Sequence, residues 1–301
     1  MFPGDTILSF FLIAQISIGV MANSFLFIIY IYAFLIKPQL KKPIDSIFMH
    51  LTVVNIITIV FQSIPDIVSS FGVKRFLDNV GCQSFFYIYR VTRGLSICTT
   101  SLLSVFQAIT ISPSHSKWAR LKSKLSTWIF PSFLIFWIIN MLIYIHIIET
   151  LRAKWNFTVI GHGFVHAYCQ TRQSGDRHSG SFVSVMLTRD FLFMAPMIVS
   201  SLYMVGLLYR HHRRARHIHS SSLSRQTSPE NRATHTILLL AFCFVFFYCC
   251  NNFVYIYAFY RPEKDSRLED INGILSSCYP TFCPFLLMKN TKNIPKLTSC
   301  L

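Results

Sequence analysis

The stretch from Thr234 to Tyr260 reads THTILLLAFCFVFFYCCNNFVYIYAFY and contains no Asp, Glu, Lys or Arg. A helix that crosses the hydrocarbon core of a bilayer needs about 20 consecutive, mostly apolar residues. Because this stretch is longer than that minimum and carries no full charge, it predicts a membrane-spanning helix. The chain is therefore expected to be a membrane protein, and the rest of the sequence decides how many times it crosses.

Six further apolar runs of similar length flank this stretch. The seven predicted spans are Ile7–Ile36, Ser46–Phe71, Cys82–Ser112, Leu125–Ile148, Phe182–Tyr209, Thr234–Tyr260 and Leu268–Met288. At about 25 residues each, these spans occupy more than half of the 301 residues. We therefore expect an all-α fold in which residues 1–301 form a single domain, a seven-helix transmembrane bundle.

The composition agrees with a membrane protein and excludes other classes. The chain is 52% hydrophobic and 13% charged, whereas an ordinary soluble domain carries about a quarter charged residues. A formal net charge of +16 suggests a polyanionic partner, but 29 Phe and a mean hydropathy of +0.47 do not fit a nucleic-acid-binding protein. Disorder needs low hydrophobicity and is excluded as well. We expect no nucleic-acid partner.

The positive charges are concentrated on one side of the predicted topology. The loops after the first, third and fifth spans, together with the C-terminal tail, carry a net charge of about +14, and the other loops carry about +1. Membrane proteins keep an excess of Lys and Arg on their cytoplasmic side. We therefore expect the N-terminus outside and the tail in the cytoplasm, with much of the surplus charge on anionic membrane lipids.

Two features of the outer loops agree with that orientation. The Asn-x-Thr sequon that begins at Asn156 falls in an outer loop and predicts N-glycosylation. Of the nine cysteines, only Cys82 and Cys169 are at outer positions, the side on which disulfides form. We expect a Cys82–Cys169 disulfide, and the alternative is two free thiols.

Five longer motifs carry a resemblance to a known receptor family. They are Lys42–Leu51 (KPIDSIFMHL), Ser104–Ser114 (SVFQAITISPS), Tyr203–Ser220 (YMVGLLYRHHRRARHIHS), Ser228–Leu240 (SPENRATHTILLL) and Tyr279–Met288 (YPTFCPFLLM). Together they resemble the type-1 vomeronasal receptors, which are G-protein-coupled receptors, over essentially the whole chain. The resemblance implies a multi-pass plasma-membrane pheromone receptor that binds a small pheromone-like molecule and signals through an inhibitory-type heterotrimeric G protein.

The chain departs from rhodopsin-like receptors at residues that usually take part in activation. Phe106-Gln107-Ala108 replaces the acid-Arg-aromatic triplet at the inner end of the third span, and Asn55 corresponds to the usual acidic residue of the second span. These departures suit the vomeronasal family. Gln107 is our candidate for a residue of that inner end that faces the G protein.

Five charged residues lie well inside the predicted spans, beyond their terminal turns, where charge is costly and often functional. They are Asp66, Arg90, Arg93, Arg189 and Asp190. All five are in the outer halves of their spans, so we expect an outward-facing ligand pocket with Tyr89 and Tyr255 among its aromatic walls. Arginines in such a pocket bind a carboxylate, sulfate or carbonyl group. The alternatives are an ion-pair network that holds the helices together and snorkelling to the interface.

A basic cluster characterises the inner loops. Its members include Lys117, Arg120, Arg210, Arg213 and Arg214. One interpretation is a docking surface for the G protein. The other is a juxtamembrane cluster on anionic lipid, which contributes about 1 kcal/mol per charge.

Two other functions fit the same topology. A bitter-taste receptor is a distant relative by resemblance, but the inner ends of the third and fifth spans fit the vomeronasal pattern better. A channel or small transporter would use the intramembrane charges, although an odd number of spans without an internal repeat disfavours it. The sequence contains no nucleophile elbow, phosphate loop or His-rich metal spacing in a span, so we expect no catalysis, cofactor or metal.

Overall fold

The computed structural model describes residues 3–36, 42–71, 73, 77–113, 119–145, 148, 151–153, 169–171, 176–218, 229–260 and 266–288. Its helices are α1 (Pro3–Ile36), α2 (Pro43–Ser70), α3 (Asn79–Ile111), α4 (Ala119–Tyr144), α5 (Asp176–Ile218), α6 (Pro229–Tyr260) and α7 (Ser266–Met288). Each of the seven contains an apolar stretch long enough to cross a membrane. The predicted all-α architecture of seven membrane-length helices is thereby confirmed.

Two short strands between α4 and α5 were not predicted from the sequence. β1 (Leu151–Ala153) and β2 (Cys169–Thr171) pair antiparallel, with Ala153 opposite Cys169. The Ala153 backbone N–H also donates to Asn79 Oδ1 at 2.8 Å, which fixes the strand pair to the first turn of α3. Strands of three residues are too short to show the alternation by which a strand is recognised in sequence.

The third helix forms the centre of the bundle. Within its membrane-length window, 78% of the α3 residues are buried, compared with 17% in α4 and in α5. α3 packs against α2, α4, α5 and α6, while α1 packs against α2 and α7. Its interior hydroxyls bond within the helix: Thr99 donates to the Leu95 carbonyl at 2.7 Å, and Thr100 to the Ser96 carbonyl at 2.8 Å. An enclosed helix of this kind can position side chains for several neighbours at once.

A side chain of α1 donates a hydrogen bond to a backbone carbonyl of α7. Pro280 and Pro284 both lie inside α7, and Pro284 has no N–H to donate to the Pro280 carbonyl one turn before it. Asn23 is fully buried, and its Nδ2 donates to that carbonyl at 3.0 Å and to the Gly19 carbonyl at 2.8 Å. Prolines are tolerated in membrane helices where a neighbour satisfies the freed backbone group in this way.

We therefore expect Asn23→Leu to destabilise the bundle by about 1–3 kcal/mol, because it leaves the buried Pro280 carbonyl without a donor. The measurement is thermal unfolding of the purified full chain in detergent. Pro284→Ala restores a backbone N–H in α7, so the double variant Asn23→Leu/Pro284→Ala should recover part of the lost Tm. A double variant less stable than Asn23→Leu alone would contradict this account of the α1–α7 contact.

Candidate functional site

One end of the bundle is held by the cysteine pair. Cys82, in the first turn of α3, and Cys169, in β2, are at disulfide distance, with their Cα atoms 5.9 Å apart. Both side chains are buried. We call this side of the bundle the disulfide end. Arg90 and Arg93 lie two to three turns further along α3, roughly 12–17 Å from Cys82 at 1.5 Å per residue.

Arg189 of α5 is buried and reaches across to α4. Its Nη1 donates to Asn140 Oδ1, and its Nη2 donates to the Tyr144 hydroxyl at 2.7 Å. The same Nη2 forms an ion pair with Asp190, whose side chain is also buried. The guanidinium carbon lies 5.2 Å from the centroid of the Tyr144 ring. We call this set, Arg189 with Asn140, Tyr144 and Asp190, the arginine clasp.

The arginine clasp passes directly over α3 at Gly94. A Cβ added to Gly94 would overlap Asn140 Oδ1 and Arg189 Nη1. Asn140 is fully buried, and its Nδ2 donates to the Phe136 carbonyl at 2.8 Å, which turns its Oδ1 towards Arg189. A glycine inside a helix normally costs stability relative to alanine. Here its missing side chain is what allows α4 and α5 to be bonded across α3.

Arg90 lies in an aromatic enclosure. Its guanidinium carbon is 4.9 Å from the centroid of the Tyr255 ring, 5.4 Å from that of Phe86 and 5.8 Å from that of Tyr89. Its Nη1 also contacts Met186 Sδ of α5 at 3.6 Å. Aromatic faces attract a cation through the ring quadrupole, and the attraction is stronger in a desolvated site. Arg90 is thus held by residues of α3, α5 and α6.

Arg93 is the arginine that borders open space. Its Nη1 donates to the Tyr89 hydroxyl at 3.0 Å, and its guanidinium carbon lies 5.2 Å from the centroid of the Tyr248 ring. It is only partly buried and lines a cavity of about 30 Å³. Residues of α2, α3, α6 and α7 form the wall, including Thr58, Ser96, Phe244, Phe247, Asn251 and Ser276. Ligand pockets usually measure about 300–1,000 Å³, so a ligand has to part these side chains.

The structure brings most of the predicted pocket residues into contact. Tyr89, Arg90 and Arg93 come from α3 and Tyr255 from α6, and the Asp190 carboxylate interacts electrostatically with Arg189, Arg93 and Arg90. Asp66 lies between α2 and α7. Its Oδ2 accepts a hydrogen bond from Gln62 Nε2 at 3.1 Å and would be 2.8 Å from a Cβ at Gly273. Arg189 is bonded to α4, a helix that the sequence did not connect with the site.

At the opposite end of the bundle, hydrogen bonds join α3 to α5 and α6. Gln107 is buried, since only 5% of its surface is exposed, and its Nε2 lies 3.4 Å from Thr234 Oγ1 of α6. The Ser112 and Tyr203 hydroxyls are hydrogen-bonded at 3.0 Å. In this arrangement Gln107 faces α6, and its contact with a G protein stays a prediction. Arg210, in contrast, is exposed on α5.

The predicted glycosylation site and most of the basic cluster belong to the connections between helices and to helix ends. Asn156 and Lys117 lie outside the described residues. The backbone of Arg120 lies in the first turn of α4, and those of Arg213 and Arg214 lie near the end of α5. Their proposed roles in glycosylation and in G-protein contact therefore stay predictions.

One polar cluster was missed by the sequence analysis altogether. Trp137 Nε1 of α4 donates to His50 Nε2 of α2 at 3.1 Å, and His50 Nδ1 lies 3.0 Å from Thr99 Oγ1 of α3. Since Nε2 accepts, Nδ1 carries the proton and donates to Thr99. The His50 ring also stacks on Phe133, with centroids 4.2 Å apart. A polar side chain in each of three spans was the available signal, but their spacing gives no indication that they meet.

Comparison with known proteins identifies close relatives. Residues 6–300 match the vomeronasal organ pheromone receptor family. The chain is 36% identical over 279 residues to vomeronasal type-1 receptor 4 of Homo sapiens, covering 92% of each chain. It is 32% identical over 297 residues to human vomeronasal type-1 receptor 3, covering 98% of this chain and 94% of the relative. It is also 31% identical to olfactory receptor class A-like protein 1 of Danio rerio, covering 95% and 90%.

Gly94→Ala tests the close approach of the arginine clasp. In an ordinary helix interior this change is favourable by about 1 kcal/mol, but here the new methyl group has to displace Arg189 or Asn140. We expect a lower Tm and less folded protein in detergent.

Gly206→Ala is the matched control, since a Cβ at Gly206 of α5 meets nothing within 4 Å. We expect this control to leave the Tm unchanged or to raise it. Equal effects of the two substitutions would contradict the proposed contact at Gly94.

Proposed function

The chain belongs to the vomeronasal organ pheromone receptor family, and from this membership we propose that it is a plasma-membrane chemosensory receptor for a small pheromone-like molecule. Its relatives are receptors and not enzymes, and it is a multi-pass membrane protein with seven membrane-length helices. We propose that residues 1–301 form one domain, with the N-terminus outside and the tail in the cytoplasm. The distribution of positive charge between the loops supports this orientation.

The proposed ligand pocket is the space beside Arg93, about three helical turns along α3 from the disulfide end. The observation that carries this proposal is the cavity between α2, α3, α6 and α7, which has a cation on one wall and the rings of Phe244, Phe247 and Tyr248 on another. Small-molecule sites combine apolar walls with a few convergent polar groups in this manner. Tyr89, which accepts a hydrogen bond from Arg93, belongs to the proposed site together with Arg90, Tyr255 and Asp190 beyond it, and Asp66 would border it from the α2–α7 side.

The opposite end is the proposed contact for an inhibitory-type heterotrimeric G protein. Its support is the basic cluster of the predicted inner loops, Lys117, Arg120, Arg210, Arg213 and Arg214, part of which also suits anionic lipid headgroups. A receptor signals by shifting an equilibrium between packings of its inner end. Gln107 bonds Thr234 and so joins α3 to α6 at this end. We call this joined arrangement the closed packing and propose that it is the one that does not signal.

Expression of the full chain with an inhibitory-type G protein tests the function directly. Volatile and steroid-like compounds are screened, and nucleotide exchange on the G protein is measured. We expect at least one compound to increase exchange in cells that express the receptor and not in cells that lack it. A ligand-evoked ionic current that needs no G protein would overturn the assignment in favour of a channel.

Thr234→Val removes the hydroxyl that Gln107 contacts while keeping the side-chain shape. We expect higher ligand-independent exchange on the G protein, because a buried hydrogen bond that favours the closed packing, worth about 1 kcal/mol, is lost. Thr110→Val is the control, since the Thr110 hydroxyl donates to the Phe106 carbonyl of its own helix, at 2.7 Å. Unchanged or reduced basal exchange in Thr234→Val would refute the closing role of this pair.

A further inference from the structure

The three intramembrane arginines have different surroundings. From these we infer that Arg93 is the one arginine of the three that contacts the ligand, and that the ligand is a compact anion with an apolar body. Arg189 is a positioning residue. In this scheme Arg189 keeps Asp190 from neutralising Arg93. The inference rests on the proposed receptor function, because it names the chemical class that the same pocket takes. It also separates the arginines, which the sequence treated as equivalent.

Arg189 is committed to protein partners. One terminal nitrogen is bonded to Asn140 and the other to Tyr144 and Asp190, and the guanidinium is buried against α3 at Gly94. A ligand could reach it only by breaking a buried charge-assisted hydrogen bond, which costs more than a neutral one. Arg189 therefore holds α4, α5 and Asp190 in place. Contact with the ligand falls to another residue.

Arg90 is also excluded as the primary contact. Phe86, Tyr89 and Tyr255 surround its guanidinium at 4.9–5.8 Å, and only 7% of the residue's surface is exposed. Its role is to carry positive potential close to the pocket from within this aromatic enclosure. A cation in such an enclosure strengthens the attraction of a nearby anion, because charges interact more strongly where water is excluded.

Arg93 has the opposite character. Its guanidinium donates to the Tyr89 hydroxyl and lies on the Tyr248 ring, and part of the side chain faces the cavity. Among the residues that the structure describes, Arg93 forms no ion pair. A planar guanidinium with an open edge binds a carboxylate through two parallel hydrogen bonds. The rings of Phe244, Phe247 and Tyr248 beside it suit a small aromatic or alicyclic body.

The pairing of the Asp190 carboxylate determines whether the positive charge of Arg93 is available to a ligand. The buried carboxylate is paired directly with Arg189, whose guanidinium lies against Gly94, the residue that follows Arg93 in α3. Three arginines against two aspartates, Asp190 and the proposed bordering residue Asp66, still leave a surplus positive charge beside the cavity, which an anionic ligand can compensate. If Arg189 is removed, the freed carboxylate becomes an internal competitor for Arg93. The arginine clasp thus sets the charge preference of the pocket from a distance.

Three probes of one size and shape test this inference on the purified full chain in detergent. Benzoate, benzamide and benzamidine carry charges of −1, 0 and +1 on the same ring, and binding is measured as the rise in Tm during titration at constant ionic strength. We expect apparent affinity for benzoate at least about tenfold above that for benzamide, as a charge-assisted contact implies, and no stabilisation by benzamidine. Equal stabilisation by benzoate and benzamide would overturn the anion assignment.

Variants assign the preference to particular residues. We expect Arg93→Gln to abolish the preference for benzoate over benzamide, while Lys124→Gln, which removes an exposed cation at the start of the α4 span, keeps it. Arg189→Gln should also abolish the preference, and Arg189→Gln/Asp190→Asn should restore it, a rescue that a purely structural role for Arg189 does not produce. Retention of the preference in Arg93→Gln, or no rescue in the double variant, would refute the division of roles.

Asp190→Asn alone keeps the inference testable if Arg189→Gln does not fold, because an amide oxygen can still accept from Arg189. We expect a larger benzoate preference in this variant than in the parent chain, and a smaller one would refute the role of Asp190. The readout is binding and not signalling. A chain that binds benzoate selectively but does not activate a G protein would therefore refute the proposed function and leave this inference standing.

Discussion

The hydrocarbon core contains no water, so the buried polar side chains of this bundle require hydrogen-bond partners inside the protein. The bond from Arg189 to Asn140 and Tyr144, across α3 at Gly94, is where this requirement has its largest consequence. It joins α4 and α5, two helices with few buried residues, across the enclosed central helix. It also keeps the Asp190 carboxylate beside Arg189, and the positive charge of Arg93 therefore remains available in the pocket.

Hydrogen bonds of this kind compensate for a driving force that membranes lack. Apolar side chains gain little by leaving lipid tails for one another, so helix association depends on close packing and interhelical hydrogen bonds. Three further bonds each join two helices: Asn23 donates to the Pro280 carbonyl, Trp137 donates to His50, and the Thr100 and Tyr279 hydroxyls are bonded to each other. They distribute the polar connections along the whole bundle, whereas the connection at Arg93 has open space beside it.

Much of the fold could be predicted from sequence because it depends on local properties. Length and apolar composition indicated the seven helices, and position within the third span placed Arg90 and Arg93 in its outer half. The identity of each arginine's partners could not be predicted, because Asn140 and Tyr144 look like ordinary residues of an apolar span until α4 is packed against α3. The contact of Gln107 with Thr234 could not be predicted either, since the rotation of a buried helix is a tertiary property.

Arg189 is bonded to α4 and is therefore not available to a ligand. A double-mutant cycle on the Tm of the purified chain, with Asn140→Ala, Arg189→Gln and the combined variant, measures this contact most directly. Because each single change removes the same hydrogen bond, our account predicts that the combined variant loses clearly less stability than the sum of the single losses. Strict additivity would show that the two side chains do not interact, and would contradict the account.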